Sequence, residues 1–331
     1  MKSFEWANAG SVDEAVKLLA ADAATDPDEI PRPMGGGQDL LSTMKSYIVR
    51  PPRVVNLKTI NGIGKIAADG GGGFAIDALV TITQVGSHEE IGKAFPGLTE
   101  AAHSIATPQI RNLGTVGGNL NQRPRCWYFR NENLQCIRKG GNTCYAVDGE
   151  NKYHAIFGDG PCVVVQPSDL APMLIALNAV VSIAGPKGKR DLPLENYFVL
   201  PTEKEARKEN VLMPGEIVTQ ITVPASTAKS TYIKMKERAS LDFAMVSVAA
   251  AVDFNADNSV KQARLVLGGV APAPWSLLKV NDFLAGKKLD DDTIKKAGEL
   301  AVDGANPLDH NGYKVPLTSA LVRRALAKLI A

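Results

Sequence analysis

The chain has 331 residues, 45% hydrophobic and 22% charged, with 37 Lys and Arg against 35 Asp and Glu for a formal net charge of +2. This is the composition of a soluble globular protein, too long for one core, and the balanced charge argues against a nucleic-acid or membrane-surface protein. The longest apolar stretch, MLIALNAVVSIAG from Met173, is too short to span a bilayer, and the acids in the N-terminal segment do not fit a secretion signal.

In chain order, the N-terminus reads as a strand followed by a helix. Ser11 is the cap, Glu14 its capping-box partner, and Ala15, Leu18 and Leu19 the apolar stripe. An acidic loop, AATDPDEIPRP, leads to MGGGQDLLSTMKS, where glycines stand directly before a helical pattern. From Arg53 the alternation of apolar and polar residues around glycine turns predicts antiparallel strands, with GGGG at 70–73 as a hairpin turn. Residues 88–106 read as helical, TPQIRNLGTVGGNL as a loop, and 168–185 as a capped helix running into a strand. After Pro224 come three β-like runs, split by an Asn-Asp turn and a Gly-Gly, and then two helices. That pattern predicts a strand-rich second domain backed by helices, beginning near residue 225.

Three stretches have the chemistry of a ligand site. In Met34-Gly35-Gly36-Gly37-Gln38-Asp39-Leu40, successive backbone N–H groups can converge on one anion such as a diphosphate, although a plain turn is equally open. Thr115-Val116-Gly117-Gly118-Asn119-Leu120 offers a hydroxyl, two glycines and an amide for close approach to a ligand, with a tight turn as the alternative. Ser168-Asp169 stands at a helix start, where an Asp is ordinarily only a cap. The four histidines, His88, His103, His154 and His310, form no HExxH or HxxEH pattern, which argues against a zinc hydrolase.

Taken together, MGGGQDL, IATPQIRNLGTVGGNL, SDLAP and LMPGEIVTQITVP resemble the FAD-binding medium subunit of the molybdenum hydroxylases, the xanthine dehydrogenase and aldehyde oxidoreductase superfamily. GGVAPAPW and YKVPLTSALVRRALAKL extend the resemblance to the C-terminus. It implies an α+β fold: a two-subdomain FAD-binding (PCMH-type) domain over 1–224, then an α+β flavoprotein C-terminal domain over 225–331. It also implies that Pro33, Met34, Gly35, Gly36, Gly37, Gln38, Asp39, Leu40 and Leu41 wrap the FAD pyrophosphate, with Thr115, Gly117, Gly118 and Asn119 lining the other side. Asp169 would take the ribose or adenine end, Ile105 and Val218 would be apolar neighbours of the cofactor, and Lys234 would lie at the flavin side. No catalytic residue is implied. Such a chain is inactive alone and works in a heterotrimer. The substrate reacts at molybdopterin in a large subunit, and electrons pass through [2Fe–2S] clusters in a small subunit to FAD and an external acceptor.

All four cysteines fall between two of these motifs, in an added segment at about 121–167, at spacing C-x₉-C-x₇-C-x₁₇-C. So polar a segment buries little apolar area and needs another means of fixation. Disulfides do not suit a chain without a secretion signal, and zinc prefers closely spaced cysteine pairs. An iron–sulfur cube tolerates wide spacing, with Arg125, Arg130, Arg138 and Lys139 offsetting its charge. Some relatives, periplasmic aldehyde oxidoreductases and 4-hydroxybenzoyl-CoA reductase among them, carry a [4Fe–4S] cluster in such an insertion, and this segment looks closer to the aldehyde enzymes. The expectation is therefore an FAD and [4Fe–4S] electron-transfer subunit of a molybdenum-dependent aldehyde oxidoreductase, with Cys126, Cys136, Cys144 and Cys162 as cluster ligands. A hydroxybenzoyl-CoA reductase-type or xanthine dehydrogenase-type subunit is the alternative, as is a flavin-binding interaction protein with a zinc-clipped loop. The sequence predicts a cytoplasmic site, or a periplasmic one through co-export with a partner carrying a twin-arginine signal.

Overall fold

The computed structural model describes residues 1–22 and 25–331; Ala23 and Ala24 of the acidic loop lie outside the described residues. At the N-terminus, β1 (Glu5–Asn8) leads into α1 (Val12–Leu18). The Ser11 hydroxyl accepts from Glu14 N at 3.1 Å, and the Glu14 carboxylate accepts from Gly10 N at 2.7 Å. This is the expected cap, displaced by one residue on its return bond. β2 (Arg32–Met34), α2 (Leu40–Lys45) and β3 (Arg53–Asn56) follow, in a three-stranded sheet of order β1-β3-β2. Both pairings of β3 are parallel, so the antiparallel expectation from Arg53 onward is corrected for this strand. The connections through α1 and α2 return the chain to the same sheet end, which period-2 alternation cannot reveal.

The hairpin of β4 (Ile66–Ala68) and β5 (Phe74–Asp77) does turn on the four glycines, with Gly70 and Gly72 at φ 78° and 100°. Helices α3 (Ile82–Ser87), α4 (Glu89–Ala94) and α5 (Pro96–Ser104) come next. The predicted loop after them is instead two short helices, α6 (Pro108–Leu113) and α7 (Val116–Leu120). Thr107 and Thr115 cap them, each in an extended conformation with its hydroxyl accepting from the N–H three residues on. After the short α8 (Trp127–Arg130) come α9 (Leu170–Ala176), β6 (Val180–Gly185), β7 (Gly188–Pro193) and β8 (Ile217–Val223). The last three complete an antiparallel sheet of order β4-β5-β8-β6-β7.

The remaining strands, β9 (Lys229–Met235), β10 (Val246–Phe254), β11 (Val260–Gly268) and β12 (Trp275–Ser276), form an antiparallel sheet of order β12-β11-β10-β9. It is backed by α10 (Leu278–Leu284), α11 (Asp291–Leu300) and α12 (Lys314–Ile330). The sequence reading missed α10, which is short and whose N-cap, Leu277, makes no side-chain cap bond.

Alternation along β10 explains how the two parts are joined. Val246, Val248, Ala250 and Val252 point into the core shared with α10 to α12. Ala249 and Ala251 point the other way, into the core of α3, α5, α9, β6 and β8. A strand buried on both faces in this manner fixes the C-terminal sheet against α5 and α9.

Candidate functional site

The glycine run leaves β2 and enters α2, with Gly37 at φ 71°, a conformation natural to glycine alone. A Cβ on Gly35 would lie 2.8 Å from Thr115 Oγ1, and one on Gly36 would collide with the Leu113 carbonyl and sit 2.9 Å from Gly114 Cα. On the other motif, a Cβ on Gly117 would lie 2.9 Å from Ala78 Cβ, and Gly117 N donates to Ala78 O at 2.9 Å. The glycines thus let two loops, distant in sequence, pack backbone against backbone. Among the described residues, the N–H groups of Gly35, Gly36, Gly37 and Gln38 have no acceptor. Successive unpaired N–H groups in a partly sheltered loop suit a diphosphate.

An aspartate inside such a loop would repel that anion. Asp39 is neutralised instead: its Oδ1 accepts from Arg130 at 2.8 Å and pairs with Arg125 at 3.0 Å, while Oδ2 accepts from Arg123 N at 2.7 Å. All three partners belong to the inserted segment. Asn119 connects the second glycine motif onward, its Oδ1 accepting from Ser168 Oγ at 2.6 Å. Ser168, and not Asp169, caps α9 by accepting from Ala171 N at 3.1 Å.

Asp169 is buried and both its oxygens are engaged. Tyr232 donates to Oδ1 at 2.7 Å and Lys234 to Oδ2 at 2.8 Å, and Lys234 also donates to Ser104 O at 3.2 Å. Burial, reinforced by this carboxylate, pushes the Tyr232 hydroxyl well above its ordinary pKa. Asp169 and Lys234, read separately from the sequence, are therefore one ion pair. Ile105 and Val218 lie in the principal core.

A cavity of about 240 Å³ opens beside Ser168 and Asp169, where the insertion meets the Glu237–Ser247 segment. Trp127, Tyr153 and Phe243 give it aromatic walls, and Gln166, Ser168 and Ser247 supply polar groups. Such walls suit a flat, amphipathic ring. A loop of unpaired N–H groups and, beyond Asp39 and Arg125, a cavity with aromatic walls make these residues fit a flavin dinucleotide. Phe243 and Tyr153 carried no motif and were not anticipated.

The cysteines require a correction. They do line one small cavity, of about 10 Å³. Yet among the described residues no group of three or more His, Cys, Asp or Glu side chains is placed to hold a metal ion. The expected [4Fe–4S] cluster, and the zinc clip with it, are overturned by that arrangement. All four thiols are unlinked. Cys126 lies 3.2 Å from His154 Nε2, and Arg138 Nε donates to Cys162 at 3.4 Å. The neighbouring Cys144 thiol, with the Arg138 guanidinium, holds the Cys162 pKa below its ordinary value. Burial pushes Cys126 up to about 11. Arg125 and Arg130 serve Asp39 rather than thiolates.

The insertion is fixed by polar pairing instead. Arg123 reaches Asp28 at 2.9 Å and Glu209 at 3.2 Å, Arg138 reaches Glu209 at 3.0 Å, and Arg207 reaches Asp28 at 2.7 Å. Asn151 and Asn311, both fully buried, bond backbone groups across the segment: His310 N donates to Asn151, and Asn311 donates to His154 O and Ala155 O. Lys314 donates to Tyr153 O at 3.0 Å and Gly269 O at 2.7 Å. Burial brings its pKa down to about 7. Phe157 then stacks on Trp275 with ring centroids 5.2 Å apart, anchoring the segment in the C-terminal core.

Comparison with known proteins gives two family matches. Residues 2–226 match the FAD binding domain in molybdopterin dehydrogenase, and residues 230–329 the CO dehydrogenase flavoprotein C-terminal domain. The chain is 34% identical over 320 residues to the aldehyde oxidoreductase FAD-binding subunit PaoB of Escherichia coli (strain K12), covering 94% of each. It is 26% identical to the glyceraldehyde dehydrogenase medium chain of Sulfolobus acidocaldarius, covering 99% of this chain and 95% of that one. Among solved structures, Cu,Mo-CO dehydrogenase in its cyanide-inactivated form aligns with a TM-score of 0.76 at 24% identity, over 99% of this chain and 98% of that one. That likeness is one of fold, and it agrees with the two-part α+β architecture.

Proposed function

The chain belongs to the family of FAD-binding subunits of molybdopterin dehydrogenases, and from that premise we propose that it is the FAD-carrying electron-transfer subunit of an aldehyde oxidoreductase. As a member of that family it is a non-catalytic subunit of a multi-subunit oxidoreductase. The proposal adds the partners, a large molybdopterin subunit and a small [2Fe–2S] subunit, and the substrate class. The 34% identity to an aldehyde oxidoreductase FAD-binding subunit, over 94% of the chain, supports the aldehyde assignment. The observation that carries FAD binding is the run of unpaired N–H groups from Gly35 to Gln38, in a loop that packs against Leu113, Gly114 and Thr115.

Bound FAD supplies the redox chemistry, accepting electron pairs and releasing them. The chain supplies position and surroundings. The loop Pro33 to Leu41 holds the diphosphate through its N–H groups, with Thr115, Gly117, Gly118 and Asn119 on the opposite side. Arg125 and Arg130 cancel the charge of Asp39, so the loop presents no net repulsion. Trp127, Tyr153 and Phe243 give the ring cavity aromatic walls. Asp169 and Lys234 neutralise each other beneath it, a buried pair that orients Tyr232. Ile105 and Val218 back the site from the core.

The test is flavin stoichiometry and dependence on partners. Acid release should yield about one FAD per chain, in keeping with a single dinucleotide cradle. Aldehyde oxidation should require co-expression with large and small partners. A correctly folded chain that takes up no FAD, or one that oxidises aldehydes alone, would overturn the reading.

A further inference from the structure

Arg125 belongs to the insertion, yet it reaches both the glycine loop and the cavity. Its NH2 group lies 3.0 Å from Asp39 Oδ1 in the glycine loop and 3.4 Å from Gln122 Oε1. Its guanidinium carbon lies 4.8 Å over the ring of Phe243, on the C-terminal side of the cavity. Its Nε is buried and has no acceptor among the described residues. Arg130, which shares Asp39, likewise has a buried NH1 without a partner.

Charge at this point is unbalanced: one carboxylate serves two guanidinium groups, leaving one positive charge in excess. Burial lowers the Arg125 pKa, and Asp39 offsets this only in part. An under-bonded cation on the wall of a cavity is short of an anionic or carbonyl oxygen. Resting on the reading that this chain binds FAD, we propose that Arg125 is a direct contact of the dinucleotide, its guanidinium donating to an oxygen of the cofactor. The insertion is then part of the FAD site, and not merely a neighbour of it. Stacking on Phe243 holds the guanidinium plane, so a lysine does not replace it.

The experiment uses the complete complex with Arg125→Met and Arg125→Lys, each stripped of flavin and titrated with FAD by fluorescence quenching. Arg125→Met should bind FAD roughly 10- to 100-fold more weakly, the loss of a charge-assisted hydrogen bond, and Arg125→Lys should fall between it and wild type. A midpoint potential unchanged in residual holoenzyme places the contacted oxygen on the diphosphate; a lowered potential places it on the flavin ring. Wild-type affinity in a folded Arg125→Met complex overturns the proposal. Should that variant fail to fold, wild-type affinity in Arg125→Lys overturns it instead. A wild-type complex that binds no FAD defeats the underlying functional reading and not this contact.

Discussion

The glycine loop and the cysteine-bearing insertion meet at Asp39 but are ordered by different forces. In the cradle, glycines at 35, 36 and 117 permit backbone contact that any side chain would obstruct. In the insertion, buried Arg–carboxylate pairs and Asn–backbone bonds tie residues 123–157 to Asp28, Glu209 and residues 310–311. The difference teaches that a polar segment can be ordered by ion pairs and side-chain-to-backbone bonds, with Ile156 and Phe157 as its apolar anchors in the C-terminal core. Each buried charge must then find its counter-charge in a distant part of the chain.

Changing the cradle should have the largest effect. In Gly36→Val, the new side chain would collide with the Leu113 carbonyl and drive the two loops apart. FAD content of the purified variant, read by acid release, should fall to near zero. Wild-type content would show that the dinucleotide lies elsewhere.

The insertion's network should come next. Asp28→Ala leaves Arg123 and Arg207 without that carboxylate, costing about 3 kcal/mol of stability. Denaturant unfolding measures the loss, and hydrogen exchange should quicken across 121–140. A loss below about 0.5 kcal/mol, the scale of an exposed pair, would mean that the network does not hold the segment.

A third test uses pH. The folded pKa of Lys314 is about 7, below its ordinary value of 10.5. Between these values the unfolded chain binds the extra proton, so stability should rise with pH from about 7 towards 10.5. Below pH 7 the cost of the buried charge is fully present; above 10.5 neither state carries it. Thermal midpoints of wild type and Lys314→Met, compared from pH 7 to 9, should diverge because only wild type has this slope. Parallel curves would mean that the amine is not buried as described.

The smallest effect belongs to an exposed tie of the same insertion. Lys152 and Glu237 pair at 2.7 Å with both side chains 44% exposed. Glu237→Gln should leave the unfolding midpoint indistinguishable from wild type, since solvent screens such pairs. A drop comparable to that of Asp28→Ala would erase the distinction between buried and exposed pairs.

Residues acting over one turn of chain were legible in the sequence. Ser11 and Glu14 announced α1, the glycines at 70–73 a hairpin, and the runs after Pro224 a second sheet. MGGGQDL and TVGGNL marked places of close backbone approach, because the missing side chain of glycine is intrinsic to the residue. The loop reading of 107–120 failed because the two threonine-capped helices there are only six and five residues long, too short to show an apolar period. Only the tertiary structure could bring Asp39 to Arg125 and Arg130, or Asp169 to Lys234, because such pairs depend on where distant segments come to rest. The same holds for the cysteines. Their clustering was visible as spacing, but whether thiols meet a metal or meet His154 and Arg138 is decided by side-chain placement that folding alone fixes.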